Sequence, residues 1–138
     1  MSVTEPRTVT RPTWQPRLAA VLAVTVLNTV LALAAPLFGA DLVVAPQGQE
    51  PGALAWPAFT VFTIGFALLG WGVLALAERL LGARRGRLMW TVVAMLIVAG
   101  MFLPPLTVGA TTATVVVLQL AHLVVAAVIP VFWRTSRA

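Results

Sequence analysis

Four long apolar stretches, separated by short polar segments, dominate the order of residues. They run from about Leu18 to Phe38, Leu54 to Ala77, Met89 to Leu106 and Thr112 to Trp133. Each is close to the roughly 20 residues that a helix needs to cross ~30 Å of hydrocarbon. None carries an acidic or basic residue near its centre. Inside lipid the backbone must satisfy its own hydrogen bonds, and for stretches this long the open-ended way to do so is the helix. The pattern predicts an all-α membrane protein with four transmembrane helices. It also predicts a tail over residues 1–17, rich in Thr, Pro and Arg and expected to be disordered, and a short tail over 134–138. The segment Pro46–Gly52 reads as a water-facing turn.

Punctuation agrees with these boundaries. Pro36 and the Pro104-Pro105 pair fall near helix ends, and Pro57 falls in the first turn of the second helix, where its missing N–H costs little. Pro130 lies inside the fourth stretch and is expected to bend it. The first stretch also has features of a secretory signal, with Arg17 before it and Ala32-Leu33-Ala34 like a cleavage site. Its apolar run exceeds the usual 7–15 residues of such a signal, roughly by half again, which favours an uncleaved first helix.

Composition supports lipid as the solvent. Apolar residues make up 60% of the chain and charged residues 9%, against about 25% charged in a typical soluble domain. A soluble fold of this length could not bury so much apolar surface. Cysteine is absent, which removes disulfides, thiolate metal sites and iron–sulfur clusters. No cofactor is expected.

The net charge of +5 comes entirely from arginine on the basic side. Arg7, Arg11 and Arg17 precede the first stretch. Arg79, Arg84, Arg85 and Arg87 lie between the second and third, and Arg134 and Arg137 follow the fourth. The segments Gly39–Ala53 and Val108–Thr111 hold none, whereas Asp41 and Glu50 lie in the first of them. Positive loops stay on the cytoplasmic side, so both termini are expected in the cytoplasm. Insertion then accounts for the arginines and leaves no reason to expect nucleic-acid binding. Trp14, Trp90 and Trp133 are expected at the inner headgroup level and Trp56 at the outer one. Trp71 lies deeper and reads as a packing residue.

Candidate chemistry is confined to the few polar residues in lipid. Asn28 sits mid-way along the first helix, His122 mid-way along the fourth, and Gln119 one turn before His122 on the same face. Asn28 and His122 fall at similar depth, which allows a hydrogen bond between them. Thr25 and Ala32 share the Asn28 face, and Ala126 shares the His122 face. A lone histidine without a nearby intramembrane carboxylate makes a poor proton relay, and without a second ligand it makes a poor metal site. Asp41, at the outer face near Thr111, Thr112 and Thr114, is expected to cap a helix start, to bind a cation or simply to be solvated. Glu78 and Arg79 read as a boundary marker. Ala58, Gly65 and Gly72, spaced by sevens, are expected to form a close packing seam on the second helix.

Several segments, taken together, carry a resemblance. They are Gly39-Ala40-Asp41-Leu42-Val43-Val44, Trp71 with Leu74-Ala75-Leu76 and Glu78-Arg79, Trp90-Thr91-Val92-Val93-Ala94, Ala110-Thr111-Thr112-Ala113-Thr114, and His122-Leu123-Val124-Val125. Over about Leu18 to Trp133 the chain resembles a family of small four-pass membrane proteins from actinobacteria that is known only as a domain of unknown function. The resemblance implies four helices and a plasma-membrane location, and it implies no activity. Without paired catalytic groups near one interface, an enzyme is not expected. The expected role is structural or accessory, with the lipid bilayer as surroundings and a second copy or another membrane protein as partner. A small oligomeric transporter or channel is the alternative.

Overall fold

Lipid leaves an isolated segment no local way to pair its backbone except helically, and each of the four stretches is helical. The computed structural model describes residues 12–136. Helix α1 spans Trp14–Ala34 and continues as a 3-10 turn over Ala35–Phe38. Helix α2 spans Trp56–Leu81, α3 Ala83–Met101, α4 Thr112–Ala126 and α5 Val128–Thr135. Four helical segments, Trp14–Phe38, Trp56–Leu81, Ala83–Leu106 and Thr112–Thr135, are long and apolar enough to cross a membrane. The chain has the architecture of a four-span membrane protein.

The ends of these elements follow local chemistry. Pro36 has no N–H to continue an α ladder. The chain therefore tightens into the 3-10 turn and leaves it at Gly39, whose φ of 74° suits glycine. Residues 14–17, expected in the disordered tail, form the first turn of α1. The remainder of that tail, residues 1–11, lies outside the described residues. The arginine-bearing segment between the second and third spans was expected to be a loop, yet it is helical almost throughout. Alanine, leucine, arginine and glutamate are strong helix formers, so α2 runs on to Leu81 and α3 starts at Ala83. The turn is made at Gly82, with φ 79°. The fourth span breaks at Ala127. Pro130 cannot donate to the Ala126 carbonyl and its ring crowds that carbonyl, which ends α4 there and starts α5.

Between α1 and α2 the chain makes a two-stranded antiparallel ribbon, β1 (Val43–Val44) and β2 (Gly52–Ala53), with Val43 opposite Ala53. Leu42, just before it, adopts φ 52°. Such a backbone costs a branched residue free energy and persists where neighbours hold it. Here Leu42 N–H donates to Thr114 Oγ1 (3.1 Å), its carbonyl accepts from Leu54 N–H (2.7 Å), and its side chain is buried.

The helices form a ring. Helix α1 packs on α2 and on α4–α5, and α3 packs on the same two neighbours from the other side. Two apolar clusters fill the interior. Near the chain termini, Val21, Val24, Ala67, Leu74, Trp90 and Phe132 pack together. At the opposite end Ala32, Ala35, Leu42, Phe59, Val117 and Ala121 do so. Trp90 is therefore a core residue rather than an interfacial one. Its ring lies 5.6 Å from that of Phe132, and its indole N–H donates to Gly70 O at 2.8 Å. That bond satisfies the polar end of the ring inside the bundle. Trp71 also packs on Phe132 (6.5 Å). Trp14 and Trp56 are about half exposed.

Helices α2 and α3 approach closely at Gly86, where a Cβ would collide with the Ala77 carbonyl. The expected seam at Ala58, Gly65 and Gly72 does not form between helices of this chain. Gly65 and Gly72 are exposed, and neither has a neighbouring atom within 4 Å of where a Cβ would stand. The reason is rotational. Phe59, Thr63, Ala67 and Leu74 turn one face of α2 inward, and Gly65 falls nearly opposite it on a 3.6-residue helix.

Candidate functional site

Asn28 stands between the two apolar clusters, on the face of α1 that also carries Val21, Val24, Thr25 and Ala32. Its side chain is 1% exposed. The amide Nδ2 donates to Thr63 Oγ1 on α2 (2.9 Å) and to the Ala121 carbonyl on α4 (3.1 Å). A carbonyl only accepts, so the atom facing Ala121 must be the nitrogen. The amide orientation follows, and one side chain ties three helices together. Its Oδ1 is buried without a partner. At the next residue of α1, Thr29 shares a 2.6 Å hydroxyl contact with Thr60 of α2. Each hydroxyl also faces a carbonyl of its own helix, Thr29 that of Thr25 (2.8 Å) and Thr60 that of Trp56 (3.4 Å), so either can be the donor across the helices.

The bond that similar depth allows between Asn28 and His122 is not made. His122 turns its Nδ1 back onto the Leu118 carbonyl of its own helix, at 2.7 Å. Asn28 takes the carbonyl of Ala121, the residue before it. Gln119 serves a different contact: its Nε2 donates to Phe102 O at the end of α3 (2.8 Å), while its Oε1 is buried and unpaired. Phe102 also lies against the imidazole, with ring centres 6.2 Å apart. The three polar residues therefore do not form one network. Asn28 joins α1, α2 and α4, and Gln119 joins α3 to α4.

Asn28 and His122 do share a cavity of about 340 Å³. Its wall includes Ala58, Phe62, Thr63 and Phe66 of α2, Val98 and Met101 of α3, and Leu118 of α4. Phe62 and Phe66 are more than half exposed, so the cavity opens on the side of the bundle, at the depth of the spans.

The loop end has its own cluster. Asp41 Oδ1 accepts from Thr114 Oγ1 (2.7 Å), Val43 N–H (3.2 Å) and Thr111 Oγ1 (3.3 Å). Thr111 is the N-cap of α4, its oxygen accepting from Thr114 N–H at 3.3 Å. Asp41 thus fastens the β1 loop to the start of α4. The Thr114 hydroxyl bond, followed by the Val43 amide bond, holds its carboxyl below the ordinary carboxylate range.

At the other end sits a cluster that sequence reasoning missed. Arg17 is 4% exposed. It pairs with Glu78 on α2 (Nη2 to Oε1, 3.1 Å), and its Nε donates to Thr135 Oγ1 (2.9 Å) and its Nη2 to Ser136 Oγ (3.3 Å). Arg87 of α3 lies over the Trp133 ring at 4.4 Å, a cation–π contact, and its Nη1 donates to the Ser136 carbonyl at 3.5 Å. Arg17 therefore does more than mark orientation, and Glu78 is more than a boundary marker. The partners lie 61 and 118 residues away in sequence, so no local spacing announces them. The one available hint is that Glu78 is one of only two acids, with Glu5, on the arginine-rich side.

Residues 8–138 match a family of unknown function (DUF6069). The chain belongs to that family. No curated protein and no solved structure matches it. Membership in DUF6069 brings no assigned activity, so what this member does must be argued from its own geometry. That geometry is a lipid-level bundle in which the Asn28 and Gln119 amides and the Arg17 guanidinium end on neighbouring helices.

Proposed function

We propose that this protein is a structural or accessory component of a bacterial plasma membrane, working through helix packing and without a reaction of its own. The observation that carries the reading is the Asn28 side chain, which joins α1 to both α2 and α4 at mid-span. In lipid, where burying apolar surface does not drive helices together, such bonds and close packing supply the association. The distribution of arginine supports cytoplasmic termini, and the resemblance set out above supports an actinobacterial source. A partner, whether a second copy or another membrane protein, would meet the lipid-facing sides of α2 and α3. Helix α3 is the least enclosed span, with 11% of its most apolar window buried against 33% for α1.

A small oligomeric transporter or channel is the second reading, and the cavity beside His122 is the observation in its favour. Against it, no carboxylate lies near the middle of a span among the described residues, so a gradient-coupling group is lacking there. Reconstitution decides between them. Purified protein in liposomes, loaded with a pH-sensitive dye and challenged with proton and monovalent-ion gradients, should leak no faster than empty liposomes. Protein-dependent, saturable flux would overturn the structural reading.

A further inference from the structure

The cavity beside Asn28 and His122 sets a few polar groups in an apolar wall. His122 is the single histidine of the chain. Its Nδ1 lies 2.7 Å from the Leu118 carbonyl. Because a carbonyl only accepts, Nδ1 carries the proton, and in the neutral imidazole the free lone pair is on Nε2. Nε2 has no hydrogen-bond partner among the described residues, and it is not among the fully buried unpaired atoms. It is therefore not sealed off, and His122 is a residue of the cavity wall. A second unused acceptor, Asn28 Oδ1, belongs to a residue of the same wall. The rest of the lining is almost wholly apolar and includes Phe62, Phe66, Val98 and Met101.

We propose that this cavity binds a small, uncharged, lipid-soluble molecule bearing a hydrogen-bond donor, an alcohol or phenol, with its hydroxyl donating to His122 Nε2. This goes beyond helix packing and does not depend on it. The volume, about 340 Å³, is at the low end of small-molecule sites. It admits one or two fused rings and excludes a whole phospholipid. An apolar body replaces lipid contacts at little cost, so the hydroxyl provides the discrimination. A charged ligand is disfavoured, because the described wall offers no countercharge.

The single histidine makes the test clean. Full-length protein with a non-histidine affinity tag, labelled with 15N-histidine, is placed in phospholipid nanodiscs and titrated with 2-naphthol. The matched control is 2-methoxynaphthalene, which has the same rings and no donor. The Nε2 resonance should move saturably upfield with 2-naphthol and stay in place with the ether. 2-Naphthol should also bind about 3- to 10-fold more tightly than the ether, the ratio expected for one net hydrogen bond. Ala58→Phe, which fills the cavity from α2 without touching His122 or Asn28 bonds, should abolish the saturable shift. The proposal is overturned by an Nε2 resonance that does not respond, by equal responses to the two compounds, or by a folded Ala58→Phe protein that still gives the full shift. An occupant recruited only for its apolar body, such as a lipid chain, would give the second of these results.

Discussion

Arg17 illustrates how much a single buried charge depends on its partner. Removing Glu78 alone leaves a guanidinium 4% exposed beside two hydroxyls, and breaking such a pair costs about 3–5 kcal/mol. Replacing both partners with apolar residues of similar size is often close to neutral. Glu78→Leu should therefore lower the thermal unfolding temperature in detergent strongly, and Arg17→Met with Glu78→Leu should recover most of the loss. A loss in the double variant equal to the sum of the losses in Arg17→Met and Glu78→Leu alone would mean that the pair is not coupled. Asp41 makes a different prediction. Its folded carboxyl titrates below the ordinary value of 3.8. Its contribution is thus present above the ordinary carboxylate range and is lost as the pH falls through the lowered value. Wild type should be more stable than Asp41→Asn at pH 7, with the gap closing on acidification to below that range. A gap that is constant with pH would show that the Thr114 and Thr111 bonds do not favour the charged form.

At the level of elements, two glycines on neighbouring helices should respond with opposite signs. Gly86 lies against the Ala77 carbonyl, with no room for a methyl group. Gly86→Ala should separate α2 from α3 and destabilise by about 1–3 kcal/mol, the usual cost of overpacking. Gly65 faces open space, so Gly65→Ala should stabilise α2 by roughly 0.5–1 kcal/mol through helix propensity alone. Chemical unfolding in mixed micelles reads both. Destabilisation by Gly65→Ala would mean that another molecule packs on that face. The four spans were legible in the sequence because hydropathy is a local signal that lipid enforces residue by residue. The side of α2 that turns inward was not, since spacing by sevens marks a stripe without saying what meets it. Nor was the helical character of Leu80, Leu81 and residues 83–88, where charge suggested a loop and propensity decided otherwise.

For the whole molecule, the ring order of the helices and the polar ties across it are properties of distant pairs. Asn28 was singled out by its depth in lipid, yet its partners, Thr63 and the Ala121 carbonyl, could be identified only once three helices were in place. Orientation in the membrane rests on arginine placement and can be tested directly, because the chain has no cysteine. Cysteine introduced at Gln47, in the exposed β1–β2 turn, should react with an impermeant maleimide on intact cells. Cysteine introduced at Arg84 should react only after permeabilisation, and the reverse pattern would invert the topology. The central claim is that polar groups at mid-span hold this bundle together. The most direct measurement is a double-mutant cycle between Asn28→Leu and Thr63→Val, followed by reversible unfolding in mixed micelles. Each single variant should be destabilised, with a coupling energy of about 0.6–1.7 kcal/mol, the range of interhelical hydrogen bonds in membranes. A coupling energy of zero, with Asn28→Leu as stable as wild type, would contradict the claim.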